Sequence, residues 1–197
     1  MKGPSYRLDA ITDIVRESLL VKEAILDDHQ LLETVACVGE KMVLALRDGK
    51  KLFFFGNGGS AADAQHLAAE FVGRFNRQRR ALPAIALTTN TSALTSISND
   101  YSYESVFARQ LEGLGSPGDI AVGISTSGNS PNVLSGIRSA REVGLVAVGM
   151  TGLSGNELSK LSDYCIRVPS DHTPRIQEAH ILIGHILCEM VEESLTT

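Results

Sequence analysis

Two sets of side chains in this sequence have the types and spacing to do chemistry. In "FFFGNGGSAADAQHLAAEF", from Phe53 to Phe71, His66 and Glu70 stand at i and i+4. On a helix that spacing stacks an imidazole over a carboxylate on one face. The two groups could share a metal such as zinc, or simply hydrogen-bond to each other at a buried position. Near the other end, "PRIQEAHILIGHILCEM" sets Gln177, His180 and His185 among apolar residues. Gln177 and His180 share a face at i and i+3. Gln177 and His185 are eight residues apart, about 12 Å along an ideal helix axis. If both serve one ion, the helix is distorted or the two come from different subunits. A hydrogen-bonded core or interface histidine is the alternative for either His.

A second group of residues could hold an anion. "ISTSGNSPNV" offers the hydroxyls of Ser125, Thr126, Ser127 and Ser130, a glycine, and Pro131 at a first helical position. Free backbone N–H groups and the positive end of the following helix would face a phosphate there. The competing reading is a well-capped turn with Ser130 as the cap. Capping needs one hydroxyl, and this loop supplies four. The glycine turn Gly56-Asn57-Gly58-Gly59-Ser60 is a degenerate match to a dinucleotide fingerprint. That fingerprint needs an acid after the second strand, and Thr88-Thr89-Asn90 stands there instead. No Gly-Lys-Ser/Thr follows a glycine turn, which excludes a Walker loop.

These residues need elements to position them. Apolar residues recur at helical spacing over Leu8, Ile11, Ile14, Val15 and Leu19, and again from Leu31 to Leu46. Asp27-Asp28-His29 breaks the two stretches. No strand precedes them, so residues 1–50 read as a helical extension for packing or oligomerisation. From Lys51 to the end, short apolar runs alternate with helix-like stretches: Leu52–Phe55, Ala84–Leu87, Ile120–Ile124, Leu145–Met150 and Cys165–Val168. That alternation predicts an α/β fold, a doubly wound and mostly parallel five-stranded sheet flanked by helices, with no linker dividing the chain. A last helix runs from near Thr173-Pro174 to about Ser194. Ligands of such sheets bind at the carboxyl ends of the strands. The first four strand tips carry hydroxyls, amides and glycines, with almost no charge, which suits a polyol and a phosphate.

Bulk properties narrow the class. The 197 residues suffice for one domain with a real core, and are 43% hydrophobic and 21% charged. No apolar run approaches the roughly 20 residues that span a bilayer, and no signal peptide is visible. The formal charge of -5 is spread along the chain, so nothing points to nucleic acid. Cys37, Cys165 and Cys188 are odd in number and far apart. That argues against a disulfide framework or a cysteine zinc site and suits a cytoplasmic setting.

Taken together, "GNGGSAADAQH", "AAEFVGRF", "SND", "STSGNS" and "RIQEAHILIGHILCEMVE" resemble the phosphoheptose isomerases, sedoheptulose 7-phosphate isomerases built on the SIS (sugar isomerase) domain. The resemblance spans almost the whole chain. It implies a single SIS domain over residues 1–197 and one zinc ion per subunit, held by His66, Glu70, Gln177 and His185. It further implies that Asn57, Gly58, Gly59, Ser60, Asn99, Asp100 and Gln177 contact the sugar and that Ser125, Thr126, Ser127 and Ser130 hold the phosphate. Family members are homotetramers with active sites between subunits.

The implied reaction converts D-sedoheptulose 7-phosphate to D-glycero-D-manno-heptose 7-phosphate, the first step of activated-heptose synthesis for lipopolysaccharide. It moves a proton between adjacent carbons through an enediol. Glu70 is the expected base and His185 its acid–base partner. Two other readings compete: a non-catalytic tetramer of the same fold that binds a replication initiator, and a sugar-phosphate-sensing module. Retention of Glu70 and of intact "STSGNS" favours the enzyme over the first. The second usually carries a DNA-binding domain, for which this chain has no room.

Overall fold

Every strand of the sheet pairs in parallel, in the order β2-β1-β3-β4-β5. The computed structural model describes residues 8–196. The strands are β1 (Leu52–Gly56), β2 (Ala84–Ala86), β3 (Ile120–Ile124), β4 (Val146–Thr151) and β5 (Tyr164–Arg167). The sheet is thus wholly parallel where the sequence predicts a mostly parallel one, and strand limits shift by a residue or two. A parallel sheet must be covered on both faces, which explains strands that are apolar at successive positions. Leu52 and Phe54 of β1 join one core with Val122, Ile124, Val148, Met150 and Ile166. Phe53 and Phe55 point to the other, with Phe107, Val133, Ile137 and Leu158.

The helices divide between these faces. On the first lie α2 (His29–Arg47), α3 (Gly59–Val72) and the long α8 (Thr173–Thr196). On the second lie α5 (Ala108–Leu114), α6 (Pro131–Val143) and α7 (Asn156–Leu161), with α4 (Thr91–Asp100) and a short 3-10 turn, Tyr103–Ser105, at the edge. The polar break starts α2: the Asp28 carboxylate accepts the Leu31 N–H at 3.0 Å, capping the helix. The preceding helix, α1 (Leu8–Asp27), buries only Val21 and Ile25. Its Leu8, Ile11, Ile14, Val15, Leu19, Leu20 and Leu26 stay exposed, so most of its apolar face is uncovered within one subunit.

The strand order reverses between β2 and β3 about β1. This brings the tips of β1 and β3 side by side, at the position where such sheets take ligands. Both tips lead directly into helices, α3 and α6. The sequence thereby delivers two glycine- and hydroxyl-rich loops and two helix N-termini to one crevice.

Candidate functional site

The loop after β3 is a cluster of inward hydroxyls. Ser125 Oγ lies 2.9 Å from Ser130 Oγ and 3.4 Å from Ser127 Oγ. The Ser130 backbone takes the cap position of α6, yet its side chain makes no capping bond. The hydroxyl lies against Ser125 Oγ instead, so Ser130 is not a side-chain cap. Neighbouring groups hold the turn: Asn156 Nδ2 donates to Ser127 O at 2.6 Å, and Gly128 N–H to Ser125 O at 3.0 Å. Gly128 has φ 67°, and a Cβ there would stand 2.9 Å from Thr151 Oγ1. Thr126 is half-buried and Ser127 exposed at the mouth.

The loop after β1 is joined to it through side-chain amides. Asn57 and Asn132 exchange two hydrogen bonds, both 2.8 Å, and the Tyr103 hydroxyl donates to Asn57 Oδ1 at 3.1 Å. Gly58 has φ 56° and ψ −120°, a conformation that excludes a side chain, and it opens α3 without a side-chain cap. At these helix starts the Ser60 N–H already bonds to Asn57 O and the Val133 N–H to Asn132 Oδ1, both at 3.0 Å, so only part of each helix N-terminus is left for a ligand. Ser60 is buried, while Gly58 and Gly59 are exposed. Asn132 and Tyr103 belong to this network, and sequence reasoning does not single them out. Asn132 lies within the hydroxyl motif itself, and its only signal is proximity.

Asn99 and Asp100 close α4, exposed, with Asn99 Nδ2 donating to Asp100 Oδ1 at 2.8 Å. They bond to each other rather than to the loops. Asn90 caps α4 by accepting the Ala93 N–H at 3.0 Å.

The second half of the site lies between α3 and α8. The two helices run side by side in the same direction. A Cβ on Gly184 would approach Leu67 Cδ2 to 2.6 Å, so any larger residue there would force the Leu67 side chain to shift. Beside it, His66 Nε2 and His185 Nε2 are 2.8 Å apart, and Glu70 Oε1 is 3.5 Å from His66 Nε2. The Phe75 ring packs on His185 at 5.4 Å between centroids. His66 is 47% exposed and Glu70 23%, so the cluster is open to a ligand. Gln177 is held elsewhere: its amide lies against Gly59, where a Cβ would stand 2.8 Å from Gln177 Cδ. Because α8 is an unbroken helix, Gln177 stays about 12 Å along the axis from His185. The structure thus joins His66, Glu70 and His185, and places Gln177 at the glycine loop after β1.

Two imidazoles, a carboxylate and an amide form a donor set suited to zinc. Two ligands of a tetrahedral zinc, each at 2.0–2.1 Å, stand about 3.3 Å apart. The His66–His185 pair at 2.8 Å is a hydrogen bond in which one ring donates to the other, and it must open slightly to admit an ion. Among the described residues no three His, Cys, Asp or Glu side chains stand in a ligating arrangement. The donor chemistry fits a metal, and binding one would require these side chains to close around it.

Burial sets the charge of the surrounding groups. Desolvation pushes the Asp63 carboxyl up to about 6, against a smaller opposing pull from His66. Its Oδ2 is buried without a partner. His180, 1% exposed, is pushed down to about 4 by burial, so it is neutral, and its Nε2 lies 3.3 Å from Thr151 O. His180 is therefore the core histidine of α8, and His185 the one at the site. Cys188 is pushed up to about 12, by burial first and then by the Glu70 carboxylate, and stays a thiol.

Comparison with known proteins supplies the context for this geometry. Residues 20–152 match the SIS domain family. The chain is 52% identical over 187 residues to a phosphoheptose isomerase of Aneurinibacillus thermoaerophilus, covering 95% of this chain and 94% of that one. It is 50% identical over 186 residues to a phosphoheptose isomerase of Aquifex aeolicus, covering 94% and 96%. The fold superposes on the structure of phosphoheptose isomerase from Neisseria gonorrhoeae with a TM-score of 0.88 at 40% identity, over 94% of this chain and 98% of that one. A phosphoheptose isomerase from Francisella tularensis gives 0.90 at 35% identity, with the same coverage.

Proposed function

From the premise that this chain belongs to the phosphoheptose isomerase family of SIS-domain enzymes, we propose that it converts D-sedoheptulose 7-phosphate to D-glycero-D-manno-heptose 7-phosphate with Glu70 and His185 as its proton-transfer groups. It is a sugar-phosphate aldose–ketose isomerase. The observation that carries the residue assignment is the convergence of Glu70, His66 and His185 from two helices beside an uncharged anion cradle.

The hydroxyls of Ser125, Thr126, Ser127 and Ser130 and the N-terminus of α6 take the phosphate, with hydrogen bonds and dipoles in place of charged side chains. Asn57, Gly58, Gly59 and Ser60 receive the sugar chain, with Gln177 over Gly59 and Asn99 and Asp100 at the outer edge. Glu70 removes a proton from carbon 1 of the ketose, and His185 donates one to the carbonyl oxygen on carbon 2, giving the enediol. Return of a proton to carbon 2 and loss of one from the oxygen on carbon 1 completes the aldose.

One zinc per subunit would be held by His66, Glu70 and His185. Gln177 would complete the set by swinging its amide from Gly59 or by coming from a neighbouring subunit. Such an ion would supply Lewis-acid polarisation at the substrate carbonyl. The uncovered apolar face of α1 supports a homo-oligomer, and we assign it to contact between subunits of a tetramer with active sites at their boundaries. No helix among the described residues is long and apolar enough to cross a membrane, which fits a cytoplasmic first step of activated-heptose synthesis.

The test is direct. Purified protein loaded with zinc is incubated with sedoheptulose 7-phosphate, and the aldose is sought by NMR. Absence of turnover would remove this reading. Capture of a replication initiator by protein that binds no zinc would favour a non-catalytic tetramer instead.

A further inference from the structure

Seven residues beyond His185, α8 carries a carboxylate sealed from water. Glu192 is 2% exposed in its side chain, and the Arg79 side chain beside it 4%. Glu192 Oε1 accepts the Phe75 N–H at 3.0 Å, and Oε2 accepts those of Asn76 at 2.6 Å and Arg77 at 2.7 Å. Arg79 Nε lies 3.1 Å from Glu192 Oε1. The remaining guanidinium nitrogens donate to Glu70 O at 2.7 Å, Phe71 O at 2.8 Å, Gly73 O at 3.3 Å and Arg80 O at 3.1 Å. Glu70 and Phe71 belong to the last turn of α3, where carbonyls lack helical partners. Burial alone would push the Glu192 carboxyl up. The three N–H donors and Arg79 outweigh it and hold it below the usual range, so the group is a carboxylate.

Stability is a weak reason for such a pair, since apolar residues of similar volume often serve as well. Position is a better one. Each end of the network touches the proposed proton-transfer cluster. Arg79 holds the backbone carbonyl of Glu70. Glu192 holds the N–H of Phe75, whose ring packs on His185. The pair also ties α3 to α8, and the gap between those helices sets the distance from His66 and Glu70 to His185.

We propose that Arg79 and Glu192 are positioning residues of the isomerase, a buried ionic clamp that fixes Glu70 and His185 at working separation. The proposal rests on the assignment of those two groups to proton transfer. A misplacement near 1 Å costs about a hundredfold in rate.

The test uses the full-length enzyme with its histidine rings labelled with carbon-13. The chain has 5 histidines, so each ring signal is assignable by substitution. Glu192→Gln is expected to lower kcat about tenfold or more while KM stays within about twofold. In the same folded sample the His185 ring signal should move, because Phe75 shifts over it, and the His180 signal should stay. Wild-type kcat, or a reduced kcat with an unmoved His185 signal, would overturn the proposal, the latter because it marks a mere loss of folded protein. If Glu192→Gln does not fold, Phe75→Leu decides: it leaves the ion pair in place and should still lower kcat by about threefold or more. Wild-type kcat in that variant would overturn the route through His185. Inactivity of the wild-type protein on sedoheptulose 7-phosphate would count against the functional reading, and the ring signals would still judge the clamp.

Discussion

The two halves of the site are built in opposite ways. The proposed phosphate cradle comes from one loop: Ser125, Ser127 and Ser130 lie within six residues, at the sheet's switch point. The proposed proton-transfer cluster comes from residues 119 positions apart in the chain, and depends on two helices meeting at Gly184. The cradle needs no titratable group, while the cluster consists of them. A local hydroxyl loop can be inherited by binding modules and enzymes alike. On the proposed reading, the long-range cluster is what would separate an isomerase from a sugar-phosphate binder on the same scaffold.

That contrast can be broken by experiment, and the largest effect belongs to the cluster. Glu70→Gln should lower kcat by about a thousandfold or more while KM and the oligomer persist, measured by steady-state kinetics and gel filtration. Near-wild-type activity would remove Glu70 from the mechanism. The cradle should behave differently. Ser130→Ala should raise KM about tenfold or more and leave kcat near wild type, since it removes a bond to a charged group made in ground and transition states alike. Because the Ser130 hydroxyl does not cap α6, the thermal midpoint should stay within about two degrees of wild type. A drop of several degrees would restore the capping role.

A smaller effect separates two buried groups by pH. His180 takes a proton near 6.5 when unfolded but only at about 4 when folded, so its contribution to stability falls as pH drops through that window. Asp63 acts in the reverse sense: its folded carboxyl is protonated at about 6 and its unfolded one at 3.8, so acidification through that range favours the folded state. Glu192, with its folded value lowered from 4.5, adds to the loss only at the acid end. The first two oppose each other in the wild type. In Asp63→Asn the His180 term stands uncovered, and denaturant unfolding should show stability falling by up to roughly 3 kcal/mol from pH 6.5 to 4, more steeply than in wild type. Equal slopes would mean that Asp63 is not held protonated.

The legible and illegible parts of the molecule follow the same division. Strand runs, the Asp28 break and the "STSGNS" loop can be read because their causes are local: periodicity, a capping carboxylate, a turn. The His66–Glu70 pair is visible as a helix spacing. The resemblance implies Gln177 as a ligand together with His185; within one subunit the unbroken helix keeps them apart and holds Gln177 against Gly59, as their spacing requires. Asn132, Tyr103, Arg79 and Glu192 are illegible because their roles depend on which distant backbone or side chain they meet. In the sequence, Glu192 is one acid in the run "CEMVEE" near the end of a helix, with nothing to mark it as buried.

The central claim is that Glu70 removes a carbon-bound proton from a ketose phosphate. The measurement closest to it follows sedoheptulose 7-phosphate in deuterium oxide by NMR. Wild-type enzyme should place deuterium on carbon 2 of the aldose and on carbon 1 of recovered ketose, and Glu70→Gln should place none on either. Exchange by Glu70→Gln at the wild-type rate would contradict the account and move the base elsewhere in the site.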